Sequence, residues 1–117
     1  MNLDSFLNYC LAKKGVEETF PFNESTLVLK VGGKMFASTD VIEFSSINLK
    51  CIPDKAVELR ERYIGIQPGY HMNKKHWNTV VTNSDIDDKL LFELINDSYD
   101  LVFESLPKKV RNEVEVG

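Results

Sequence analysis

Little in this chain announces a chemistry, and each shortage removes a class of function. There are two cysteines, Cys10 and Cys51, and both sit within apolar patterns. Two cysteines without metal-type spacing read as buried thiols, not as a disulfide or a zinc pair. No apolar run approaches bilayer length. The opening Met1-Asn2-Leu3-Asp4-Ser5 lacks a basic region and an apolar core, so no secretory leader is expected and the expected address is the cytoplasm, with no membrane contact. No G-x-S-x-G elbow, Walker-type loop or G-x-G-x-x-G occurs. Gly32-Gly33 is a hairpin turn with no helix behind it. Nor is there an excess of positive charge: the net charge of −4 argues against a protein that coats nucleic acid by bulk phosphate neutralisation. No repeat, low-complexity tract or linker divides the 117 residues, so 1–117 is read as one domain with one core.

What is present patterns clearly. Leu3, Phe6, Leu7, Cys10 and Leu11 recur at helical spacing, with Asp4 or Ser5 as cap and Gly15 beyond the end. Leu27, Leu29 and Val31 alternate into the Gly32-Gly33 turn, and Lys34–Ala37 returns as the partner strand. Phe44–Cys51 alternates again. Pro53-Asp54 opens a second helix to about Tyr63, and Ile64–Gly69 is a short extended segment. Trp77–Thr82 is a strand with Trp77, Thr79 and Val81 on one face. The longest helix is expected over Asp87–Leu106, with an acidic face of Glu93, Asp97, Asp100 and Glu104 and the cations Lys108, Lys109 and Arg111 past its negative end. Consecutive strands joined by a tight turn pair antiparallel, so the fold class is α+β, helices against a sheet.

Charge is uneven along the chain. Residues 1–47 carry a balance of −2, residues 48–82 of +3, and residues 83–117 of −5. The basic middle contains the segment richest in binding-type residues, Gly69-Tyr70-His71-Met72-Asn73-Lys74-Lys75-His76-Trp77-Asn78-Thr79-Val80. Polar, basic and aromatic residues on a scaffolded loop are where binding usually lives. His71 and His76 are five apart, off the helical metal spacing, with no third ligand near, so neither a metal nor a cofactor is expected. For a polyanion, Asn73, Lys74, Lys75, His71, His76 and Asn78 supply contacts, Lys50, Arg60 and Arg62 add positive field, and Tyr70 or Trp77 can stack on a base. Trp77 is also the expected anchor, buried between sheet and helix, with His76 pointing the other way.

The run from Pro68 to Val80 resembles the signature of the MmcQ/YjbR family of small bacterial proteins, of the form H-x-N-K-x-H-W-x-T-V. His71, Asn73, Lys74, His76, Trp77, Thr79 and Val80 match it position by position. The first helix with Glu17-Glu18, Phe36-Ala37, the strand Ser46–Cys51 and the closing Ser98-Tyr99 and Leu106-Pro107 extend the likeness over nearly the whole chain. The resemblance implies a compact fold similar to that of CyaY and type III chaperones, with helices packed on one side of an antiparallel sheet. It also implies DNA binding through a "double wing" of strands and hairpins, and brings no catalytic residues. The functional expectation is a cytoplasmic, monomeric, non-enzymatic DNA-binding or regulatory protein. The alternative is a protein-interaction or small-ligand-binding module.

Overall fold

The computed structural model describes residues 1–117 and contains one six-stranded antiparallel sheet and four helices. In chain order these are α1 (Leu3–Leu11), β1 (Val16–Thr19), β2 (Thr26–Val31), β3 (Lys34–Asp40), β4 (Ser46–Lys50), α2 (Pro53–Arg62), β5 (Ile66–Pro68), β6 (Trp77–Val81), α3 (Asp88–Ser105) and α4 (Lys108–Val116). The strand order is β1-β2-β3-β4-β6-β5, so the sheet departs from chain order only where β6 inserts beside β4. The α+β expectation holds, and all helices lie on one face. No helix is long and apolar enough to cross a membrane.

Register decides which residues see those helices. Ile47 of β4 pairs with Val80 of β6 and Leu49 with Asn78, and Ile47, Leu49 and Val80 all belong to the helix-side core. Leu29, Val31, Phe36 and Ala37 continue that core across β2 and β3. Phe6 and Cys10 of α1 and Leu91, Ile95 and Val102 of α3 close it from above. Alternate residues face the open side, the one without helices, although Val28, Ser38 and Thr79 on it are themselves buried. There Thr19, Val28, Ser38, Asn48, Thr79 and Gln67 form one row that crosses all six strands.

Local chemistry explains the joints. Asn2, not Asp4 or Ser5, caps α1: its Oδ1 accepts from Ser5 N at 2.8 Å. Gly32 and Gly33 have φ of 58° and 82°, the left-handed pair a two-residue hairpin requires. Ser98, fully buried on α3, donates to Phe36 O at 2.5 Å and accepts from Lys50 N at 2.8 Å, which pins the long helix to β3 and β4 where their mutual pairing ends. Two elements were not anticipated. β1 is a four-residue edge strand with no clean alternation of burial. Lys108, Lys109 and Arg111 are not simply cations trailing α3: Pro107 breaks the chain and α4 follows, with Val110 and Val114 one turn apart against the core.

Candidate nucleic-acid interface

The β5–β6 connection, residues 69–76, is built by its own hydrogen bonds. Gly69 N donates to Trp77 O at 2.9 Å, closing the hairpin, and a Cβ on Gly69 would stand 2.9 Å from Trp77 Cβ. Asn73 O accepts from His76 N at 3.3 Å and Trp77 N at 3.0 Å, while Asn73 Oδ1 accepts from Lys75 N at 2.9 Å. The asparagine therefore starts a single helical turn and caps it with its own side chain. Tyr70 N donates to Thr79 Oγ1 at 2.9 Å; that hydroxyl donates in turn to Asn48 Oδ1 at 2.6 Å, and Asn48 Nδ2 donates to Ser38 Oγ at 3.1 Å. The loop is thus tied into the polar row of the open face. Cys51 N donates to His76 O at 2.8 Å and joins the loop to the end of β4.

The residues named from sequence fall in different places, and His76 is half-buried and engaged through its backbone N and O. Asn78 faces the helices at 3% exposure; its Oδ1 accepts from Arg60 Nε at 2.7 Å and its Nδ2 donates to Ala56 O at 3.4 Å. It is an interior tie between β6 and α2, not a surface contact. Arg60 also donates to Lys74 O, so its guanidinium holds the loop from behind. Lys74 Nζ donates to Gly69 O at 3.0 Å and braces the loop across its base. Asn73 is engaged by its turn. Arg62 is not brought to the loop: it lies over the Tyr63 ring at 5.5 Å, beside the connection that meets the far end of β6. Lys50 stands opposite Trp77 on the open face. Lys75, His71 and Tyr70 project from the loop, Tyr70 at 70% exposure with its ring centroid 4.0 Å from that of His71. His71 reaches this position through a left-handed backbone, φ 58°.

Trp77 is 9% exposed, but its parity puts it with Thr79 and Lys50 on the open face and outside the helix-side core. The expectation of burial between sheet and helix is corrected by register alone. Neighbouring strands add two cations that linear reading missed. Lys30 and Lys34 flank the β2–β3 hairpin, which lies at the same end of the sheet as the β5–β6 loop. Glu17 stands across from Lys30 on β1.

No group of three or more His, Cys, Asp or Glu side chains is placed to hold a metal. Burial pushes the Cys10 thiol up to about 12, with nearby Lys13 opposing only in part. Burial also raises Cys51. Neither thiol has the electropositive, accessible setting of a nucleophile. The only side-chain ion pair within 4.0 Å is Lys55–Asp97 at 2.8 Å on the helix layer, and that hydrogen bond raises the lysine. Lys50, Lys74 and Lys75 therefore have no carboxylate at ion-pair distance.

A six-stranded antiparallel sheet with every helix on one face, and a Tyr-His-x-Asn-Lys turn braced against the strand that follows, defines a class of small α+β proteins. The chain belongs to the YjbR family, whose model matches residues 11–101. It is 43% identical over 103 residues to the uncharacterised protein YbdF of Escherichia coli O157:H7, covering 87% of this chain and 84% of the relative. It is 30% identical to YjbR of Escherichia coli K12, covering 95% of each. The fold matches that of a Deinococcus radiodurans protein with the DUF419 domain at a TM-score of 0.91 and 38% identity, over 97% of this chain and 88% of that one.

Proposed function

We propose that the chain is a non-enzymatic DNA-binding protein, and that its contact surface is the outward side of the β5–β6 loop continued onto the open face at Lys50. The supporting observation is the combination at this end of the sheet of an exposed aromatic pair, Tyr70 and His71, with Lys75 and Lys50 free of ion pairs. The rings can stack on a base and the ammonium groups can meet phosphates, while Arg60, Lys74 and Asn78 keep the loop in shape. Lys30 and Lys34 extend the positive field along the same end. The acidic face of α3 lies on the helix layer, so a polyanion approaching the open face does not meet it.

Fluorescence anisotropy with labelled duplex and single-stranded DNA at low salt tests this reading. With about three phosphates neutralised, log K should fall with log salt at a slope of roughly −2 to −3. Lys50→Ala with Lys75→Ala should weaken binding at least tenfold and leave the melting temperature within a degree or two. No anisotropy change with either DNA form at low salt sinks the proposal.

A further inference from the structure

The opposite end of the sheet carries a different surface. Four connections meet there: β1–β2, β3–β4, α2–β5 and β6–α3. Backbone and carboxylate contacts stitch them into one fringe. Val41 N donates to Ser25 O at 2.9 Å, Thr82 N donates to Ser45 O at 3.1 Å, and Asp85 accepts from Ile64 N and Gly65 N at 2.8 Å each. On this fringe stand four of the chain's nine large exposed apolar side chains: Phe20 at 46%, Phe22 at 78%, Ile42 at 79% and Ile64 at 88%. Scattered single apolar residues on a surface need no explanation, but four on adjoining loops at one edge do.

Their spacing and their charged neighbours specify an occupant. With strands about 4.8 Å apart, the midpoints of the β1–β2 and β3–β4 loops are roughly 10 Å apart across the sheet, although the loops touch at Ser25 and Val41, and β5 lies roughly 12 Å further along. Two turns of an α-helix rise about 10.8 Å, so an apolar stripe repeating every two turns can meet Phe22, Ile42 and Ile64 in succession. The connecting residues 20–25, 41–45, 63–65 and 82–87 contain no lysine or arginine, although Arg62 stands beside them over the Tyr63 ring. Glu24 and Glu43 lie exposed beside the apolar residues, and Asp40 and Asp85 add charge while capping backbone amides. An acidic rim repels an anionic membrane and attracts cations.

We infer that this fringe is a docking surface for a cationic amphipathic helix of a partner protein. It lies at the far end of the strands from the DNA surface proposed above and does not rest on that reading. The partner's apolar stripe covers Phe22, Ile42 and Ile64, and its lysines or arginines face Glu24 and Glu43.

The test uses three labelled peptides of equal length without DNA: leucine and lysine patterned as an amphipathic helix, leucine and glutamate in the same pattern, and serine and lysine. Anisotropy should show the leucine–lysine peptide binding the full chain, with the other two at least tenfold weaker. Phe22→Ser with Ile42→Ser should weaken it at least tenfold, and so should Glu24→Lys with Glu43→Lys, both variants keeping the parent melting temperature within a few degrees. Unchanged binding by both variants overturns the inference, because the peptide would then sit on the acidic face of α3. Equal binding of the serine–lysine peptide also overturns it, since charge alone would suffice. Self-association of the chain, or flotation with phosphatidylglycerol vesicles, that disappears in the Phe22 and Ile42 variant would assign the fringe to a second copy or a lipid instead.

Discussion

Arg60→Ala separates a structural arginine from a nucleic-acid contact, because the structure gives this side chain an interior task. Its Nε donates to Asn78 Oδ1 at 2.7 Å, and Asn78 is 3% exposed. A hydrogen bond from a charged donor contributes about 1.5–3 kcal/mol, and a buried acceptor left without a partner costs about 1–3 kcal/mol. These figures describe the same loss from two directions and do not add. The guanidinium also holds Lys74 O, so the loop loses a second tie. A destabilisation of about 2–3 kcal/mol is expected. For a chain of this length the unfolding entropy near the midpoint makes 1 kcal/mol worth roughly 4 °C, so the melting temperature should fall by about 8–12 °C. Thermal unfolding followed by circular dichroism reads this directly, with Lys75→Ala as a comparison expected within about 0.5 kcal/mol of the parent. The double variant Arg60→Ala, Asn78→Ala closes the cycle: if the pair acts together, the coupling energy should be at least about 1 kcal/mol. An Arg60 variant as stable as the parent, or two strictly additive single changes, refutes the interior role and returns Arg60 to the list of surface cations.

Trp77→Ala should cost about 3 kcal/mol in a urea titration even though the ring lies on the open face, since it is nearly buried and Gly69 packs directly on it. Gly33→Ala should lose about 1 kcal/mol from left-handed strain alone, because a Cβ there meets nothing within 4 Å; Gly32→Ala should lose clearly more, since its Cβ would stand 2.5 Å from Leu106 Cδ1 and 2.9 Å from Val110 Cγ1. Equal losses at the two glycines would show that the α3–α4 junction does not press on the hairpin. Cys10, held at about 12 when folded against 9.0 for a free thiol, binds its proton more tightly in the folded chain. Stability from this group is therefore present below pH 9 and declines as pH rises from about 9 to 12, and Cys10 should resist thiol reagents at pH 8 until the chain unfolds.

Period and turn chemistry carried most of the fold. The helical stripe of α1, the glycine pair of the β2–β3 turn and the alternation of β4 were all legible because each is a local signal. β1 was not, since an edge strand of four residues has neither face consistently buried. α4 is masked by its lysines, which the negative end of α3 also explains, and the Val110–Val114 pair alone is too short a pattern to mark a helix. The site was harder. Asn78 and Lys50 look alike as polar residues on alternating strands, and the register that puts Leu49 opposite Asn78 and Lys50 opposite Trp77 is a long-range fact. That one pairing turns Asn78 and its partner Arg60 inward and Trp77 outward.

The same long-range pairing changes the meaning of charge in this chain. Along the sequence, Lys13, Lys14, Lys30 and Lys34 belong to a segment of net −2, and nothing there suggests a basic surface. Antiparallel strands bring alternate connections to the same end, so Lys30 and Lys34 share an end of the sheet with Lys50, Lys74 and Lys75, whereas Lys13 and Lys14 are held on the helix layer by Asn96 and Glu115 O, and Arg62 stands beside the connections at the other end. A sheet of this topology can therefore separate charge that the sequence interleaves. Glu17 and the helix carboxylates keep the lysine end from being strongly positive overall, so attraction of a polyanion depends on its approaching the open face, where Lys50 and Lys75 lie. The net charge of −4 limits non-specific coating of DNA without forbidding a directed contact. The acidic, apolar fringe at the far end is then free to meet a cationic partner at the same time, because neither surface shares a loop with the other.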